Sequence, residues 1–393
     1  MNRSFHRKLA DRLLRAAALT LVLGPTGCDG STVVEDDGAG GEGQGGNGDG
    51  GSGNSGNQGG AGNTGNDGGA GNPGGFGGGG TTETSCVDVQ AFDVDGCPAA
   101  EAAAPLLEGN ACGQYPYVLG GPSFEDGLCC YIVQPEPDDS CGVGRPYLVG
   151  REGIAASAVR AGGWTDEDIR PDVRGLDTGA RRVLADAWLR DALLEHASVA
   201  SFGRFALELM AVGAPADLLA EAHRAALDEI EHARMCFALA SAYAGARLSP
   251  AAFPFGGSAE VRSDLPSIAA AVVREGCVGE TLAAAQAAAQ LERATDPAVR
   301  RVLAAIVEDE SRHAELAWRT VAWAMRAGGE EVRRAVEEAF TEASTAGASS
   351  EAPVARAAMN THGRLAGAEL DEELRTARRE VVAPCAAALL YAA

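Results

Sequence analysis

Two short stretches, DEIEHAR at 228–234 and DESRHAE at 309–315, constrain this chain most. Each interrupts a run of Ala, Leu and Val with helical spacing. In the first run, positions three and four apart give Leu218, Ala222, Ala225, Glu229, His232, Cys236, Leu239 and Tyr243. In the second they give Val299, Leu303, Ile306, Glu310, His313, Ala317 and Thr320. Residues so spaced share one helix face, and the apolar face of a helix is the one that packs inward. A carboxylate buried without a partner is very costly. A fold that hides these groups must therefore neutralise or coordinate them.

Helix breakers divide the chain around these stretches. Breaks at 213–215, 244–266 and 295–297 predict four long helices at 178–211, 216–243, 267–293 and 297–327, with more helix at 330–345 and 367–391. Pro215 and Pro297 suit first-turn positions, where a missing N–H costs nothing. Connections that run short, long, short predict two helical hairpins joined by a crossover, an all-α four-helix bundle. The first helix places Glu195 on the stripe of Trp188, Ala192, Val199 and Phe202, and the third places Glu280 on the stripe of Ala269, Val273, Gly276 and Ala283. Four glutamates and two neutral imidazoles in one core balance two divalent cations. The plainer alternative is a bundle in which Arg224, Arg234 or Arg312 satisfies the same side chains.

Over residues 177–327 the pattern resembles the ferritin-like diiron-carboxylate superfamily. Its ligand set is one Glu from each of two helices and Glu-x-x-His from each of the other two. The resemblance implies metal ligation by Glu195, Glu229, His232, Glu280, Glu310 and His313. Oxygen-rich sites with one imidazole per metal suit two Fe ions, with Mn or mixed Fe/Mn as variants. The stretch from Asp309 to His313 is similar to the D-E-x-R-H form of diiron oxygenases, and the stretch from Asp228 to His232 departs from it by Glu231 in place of Arg. The resemblance also implies that Asp228 and Asp309 accept hydrogen bonds from metal-bound imidazoles, as a ligating His requires to fix its tautomer. Cys236 lies one turn after His232, beside the ligands. Diiron multicomponent monooxygenases look similar there, whereas radical-bearing ribonucleotide reductase subunits carry Tyr. Gly276 and Gly279, near Glu280, predict either a close helix contact or a π-bulge beside the metals. His196, His223 and His362 read as satisfied or exposed residues, and Glu231 and Glu308 as solvated ones.

The expected function is a dimetal oxidoreductase using O₂ or peroxide, with an unidentified electron donor. The alternative is a metal-binding or iron-handling protein without turnover, and a third reading gives the cysteine-rich part an adhesive or scaffolding role. Fold alone does not choose among such activities.

Ahead of the helices the chain changes character. Residues 1–28 run from basic to apolar to small residues and end at Cys28, the order of a secretory signal. Cys28 resembles the acylated cysteine of bacterial lipoproteins, although Pro25 departs from that pattern. The expectation is a lipid-anchored envelope protein. Residues 29–85 form a Gly-rich tether with a mean reach of roughly 40 Å. Six cysteines, Cys86, Cys97, Cys112, Cys129, Cys130 and Cys141, mark a disulfide-rich module over 86–150, in which the adjacent Cys129 and Cys130 are expected to take different partners. A connector at 151–176 leads into the helical domain, 177–393. The formal net charge of −23 repels phosphate backbones and argues against a nucleic-acid partner. The oligomeric state is not legible.

Overall fold

The computed structural model describes residues 3–22, 83–87, 96–99, 103, 107, 117–125, 127–134, 144–149, 152–255, 260–343, 356–365 and 367–392. Cys28, Cys112, Cys141 and residues 29–82 of the Gly-rich tether lie outside them, and the last three residues assigned to the tether, 83–85, instead begin a strand. Helix dominates. After helix α1 (Arg3–Val22), strands β1 (Glu83–Val87), β2 (Tyr117–Glu125) and β3 (Leu128–Gln134) form one antiparallel sheet in the order β1-β3-β2. Short strands β4 (Tyr147–Val149), β5 (Glu152–Ile154) and β6 (Ala158–Val159) lead to helices α2 (Thr178–Ala211) and α3 (Ala216–Ala244). Strand β7 (Ser249–Pro250) pairs with β6. Then come α4 (Leu265–Val272), a π-helical turn (Val273–Glu280), α5 (Thr281–Arg293) and α6 (Pro297–Ala343). The chain ends in α7 (Arg356–Thr361), α8 (Gly367–Ala377), a second π turn (Arg378–Val382) and α9 (Ala383–Ala392).

Local chemistry explains the helix ends. The side chain of Asp177 caps α2 by accepting from the Ala180 amide at 2.7 Å, and Asp264 caps α4 through the Ser267 amide at 2.9 Å. Asp296 accepts from the amides of Ala298 and Val299 at the start of α6. Such caps satisfy amides that have no partner inside the helix. Gly245 stops α3 in a left-handed conformation at φ 69°.

The third long helix is not uniform α-helix: its middle widens into the π turn, one of the outcomes that Gly276 and Gly279 predict. The break foreseen after residue 327 is a kink at Gly329 (φ 62°), and α6 continues through it to Ala343. Residues 3–22, read as a targeting segment, form a helix packed into the core: Leu9 and Leu13 are buried among residues of α6, the second π turn and α9. The physical reason is their spacing, since Leu9, Leu13, Ala16 and Ala17 make an apolar stripe. Arg12 reaches Glu315 at 2.6 Å, and His6 lies buried 2.8 Å from Glu373.

Cys86 of β1 is bonded to Cys130 of β3, and Cys97, in irregular chain, to Cys129 of β3, so the adjacent cysteines do take different partners. Among the described residues, no helix is long and apolar enough to cross a membrane.

Two apolar clusters fill the helical part. One includes Phe202, Phe205, Ile268, Val272, Trp318 and Val321. The other includes Leu184, Trp188, Phe237, Leu239, Val299 and Leu303. Along α2, α3 and α6, Glu195, Glu229, His232, Glu310 and His313 fall between the residues of one cluster and those of the other. The hydrophobic interior is thus split by a polar layer, which needs internal compensation.

Candidate metal centre

The five residues of that layer and Glu280, at the end of the π turn, come together. One group comprises Glu195, Glu229, His232 and Glu310, and a second comprises Glu229, Glu280, Glu310 and His313. Within each group one donor atom per residue lies within 4.8 Å of the others, the spacing of a set that could hold a metal ion. Glu229 and Glu310 belong to both groups. Nδ1 of His232 stands 3.4 Å from Glu310, 3.6 Å from Glu229 and 3.9 Å from Glu195. Nδ1 of His313 stands 3.1 Å from Glu229 and 3.8 Å from Glu310. Five of the six are at most 2% exposed, while the Glu195 side chain is 19% exposed.

Several of these inward atoms are unsatisfied. Oε2 of Glu229, Nδ1 of His232, Oε1 of Glu280, Oε2 of Glu310 and Nδ1 of His313 are buried without hydrogen bonds. Leaving one such group unpaired in a folded interior costs about 1–3 kcal/mol. Five converging on one place are the donor set a cation takes. The outward nitrogens are satisfied. Nε2 of His232 lies 3.0 Å from Asp309, and Nε2 of His313 lies 3.2 Å from Asp228. Each carboxylate serves the histidine of the opposite helix. Arg312 then donates to both Asp228, at 3.0 Å, and Asp309.

Without cations, the protons distribute unevenly. Burial, reinforced by the Glu229 charge, raises Glu195 well above the usual carboxylate range. Burial and the Glu310 charge do the same to Glu280. Burial alone would raise Glu229 and Glu310 too. For Glu229 the contacts with both histidines outweigh it and leave the group below its ordinary value. Glu310 is also held below its ordinary value, by the histidine contacts working against both burial and the Glu229 charge. Burial disfavours the imidazolium forms, yet the contacts with Asp309, Glu229 and Glu310 raise His232, and those with Asp228, Glu229 and Glu310 raise His313, well above 6.5. Two divalent cations would balance four carboxylates and two neutral imidazoles.

The arginines of the plainer alternative go elsewhere. Arg234 pairs with Glu231 at 2.9 Å, Arg224 is exposed, and Arg312 holds the aspartates. Glu231 and Glu308 are exposed, as expected for solvated groups. Cys236 is buried in the apolar cluster below the centre, and burial pushes its thiol up, helped by Glu195 and Asp191. His196 packs edge-on to Trp164 at 4.9 Å, His362 bonds Tyr243 at 2.8 Å, and His223 is exposed. Two features escaped sequence reading. One is the bridging role of Arg312; its position three after Asp309 was the available signal. The other is a buried ionic cluster beside the π turn. There Glu275 meets Arg204 at 3.3 Å, Arg262 at 3.7 Å and Arg145 at 3.8 Å. No family model, curated protein or solved structure matches this chain.

Proposed function

We propose that this chain is a dimetal carboxylate protein of ferritin-like architecture, with two iron ions, that acts as an oxidoreductase toward O₂ or peroxide. The observation that carries the reading is the convergence of five unsatisfied buried donor atoms, with the far nitrogen of each histidine already held by an aspartate. Glu195 and His232 would hold one ion and Glu280 and His313 the other, with Glu229 and Glu310 shared between them. Bound iron would supply the electrons for reduction of the oxidant, cycling between divalent and trivalent states. The chain's part is to bind and orient. Asp228 and Asp309 fix the imidazole planes, and their contacts with His313 and His232, followed by the Arg312 charge, hold both aspartates below the ordinary carboxylate range against burial. Glu195, the ligand in partial contact with solvent, marks the side from which a small oxidant arrives.

Stopped-flow mixing of ferrous protein with O₂ or peroxide tests this reading. Oxidation faster than that of free ferrous iron supports it. A rate equal to free iron overturns it in favour of the alternative, a centre that holds metal without turnover. That alternative draws on the depth of burial of five ligands.

Localisation has two competing readings. The residue order ahead of Cys28 favours export and lipid attachment, whereas the packing of α1 against α6 and α9 favours a retained N-terminal helix. Intact-mass measurement on protein from cells separates them. A diacylated product starting at Cys28 supports the first, and a full-length chain supports the second.

A further inference from the structure

The π turn sits against a piece of chain that lies outside the long helices. The amide of Gly144 donates to the carbonyl of Gly279 at 3.2 Å. Next to it, Arg145 is 2% exposed. Its guanidinium lies 3.8 Å from Glu275 and stacks over the rings of Phe202 and Phe205, at 4.7 and 4.3 Å. The backbone carbonyl of Arg145 accepts from Ser198 of α2 at 2.9 Å. An arginine and its backbone are therefore built into the interior between α2 and the π turn.

Both glycines of the turn are needed for this fit. A Cβ at Gly279 would overlap the carbonyl oxygen of Gly144, and a Cβ at Gly276 would overlap Ala317 and come within 3.1 Å of the Arg145 guanidinium. A π turn also leaves backbone carbonyls out of the regular helical ladder, and Gly144 satisfies the one at Gly279.

Two chains of contact run from this segment to the metal ligands. Gly144 bonds Gly279, whose neighbour in sequence is Glu280. Arg145 covers Phe202, whose ring centroid lies 5.1 Å from that of His313. Both end in the group of Glu229, Glu280, Glu310 and His313, and neither ends on Glu195 or His232. Resting on the dimetal reading above, we infer that residues 144–145 are positioning residues for one of the two metal positions. They set the geometry at Glu280 and His313 and make the two positions inequivalent. They also tie the chain that follows the cysteine-bonded strands to the centre.

The test is a titration of metal-depleted full-length protein with cobalt(II), followed by its visible absorption, on the wild type, Arg145→Met, Arg145→Lys and Gly279→Ala. Circular dichroism records whether each variant keeps its helix. In the wild type two unequal binding steps are expected. In Arg145→Met and Gly279→Ala one step weakens by about 10- to 100-fold, the range found when a partner that orients a ligand is lost, and its absorption band shifts; the other step is unchanged. Arg145→Lys keeps the charge but loses the planar stack, and it recovers part of the lost affinity. If both steps are unchanged in folded variants, the inference is wrong. Equal weakening of both steps in all three variants, or loss of helix even in Arg145→Lys, overturns it as well, by showing that the segment only supports the fold. A wild type that binds no cobalt fails the dimetal reading itself and is thereby distinguished.

Discussion

Asp228 stands 3.2 Å from Nε2 of His313, on the opposite helix, and Asp309 repeats the relation with His232 at 3.0 Å. The two helices exchange supports, so each histidine is oriented by a carboxylate of the opposite helix. Asp228→Asn and Asp309→Asn remove the carboxylate charge but keep the shape. Each is expected to weaken metal binding by about 10- to 100-fold, read by competition with a chromophoric chelator. Arg312→Ala touches both aspartates and is expected to weaken both binding steps.

Metal uptake is expected to release protons. Loading displaces protons held by Glu195 and Glu280, whose carboxyls burial raises, and by His232 and His313, whose imidazoles the surrounding carboxylates raise. Affinity therefore falls as pH falls. Proton release on adding ferrous ion to unbuffered protein measures the count, and release of none contradicts the assigned protonation.

The metal-free protein has the opposite dependence in stability. Above pH 6.5 an unfolded imidazole has lost its proton, while His232 and His313 in the fold, raised above that value, retain theirs. The native state then binds more protons than the unfolded one, so stability falls as pH rises through the raised imidazole range. Glu195 and Glu280 act in the same direction from the ordinary carboxylate range upward. Thermal melts of apoprotein at pH 6.5 and 8.5 are expected to show the lower midpoint at the higher pH. In loaded protein, whose centre has already given up these protons, this dependence is expected to disappear.

Gly276 faces Ala317 so closely that a Cβ there would overlap it. Gly276→Ala is expected to destabilise the fold by about 1–3 kcal/mol, the usual cost of overpacking. Ala317→Gly in the same chain is expected to recover much of it. A double-mutant cycle in urea measures the coupling; additive effects would show that the contact is not the cause.

Leu13 is fully buried beneath α6 and α9. If α1 belongs to the folded protein, Leu13→Ala costs about 2–5 kcal/mol, and deletion of residues 2–22 lowers the melting temperature. A deletion that melts like the full chain would show α1 to be dispensable to the fold.

The site was largely legible because burial and spacing act locally. Glu-x-x-His on an apolar helical stripe can point only inward, and breakers at 213–215 and 295–297 delimit helices within a residue or two. What stayed hidden depends on pairs distant in sequence. No periodicity shows that Asp228 faces His313 rather than its own helix's His232. The role of Arg145 needs the register of 144–145 against Gly276 and Gly279, and the glycines alone left a close contact and a π turn open; both occur. The packing of α1 was hidden for another reason. A basic end and an apolar stripe describe a targeting segment and an amphipathic core helix equally well.

The central claim is a two-metal centre built from Glu195, Glu229, His232, Glu280, Glu310 and His313. Metal analysis of protein purified after iron supply, beside Glu229→Ala plus Glu310→Ala, tests it most directly, because those two glutamates belong to both ligand groups. About two ions per chain are expected in the wild type, as the ligand count requires, and almost none in the double variant. Equal content in both proteins, or only traces in the wild type, would contradict the account.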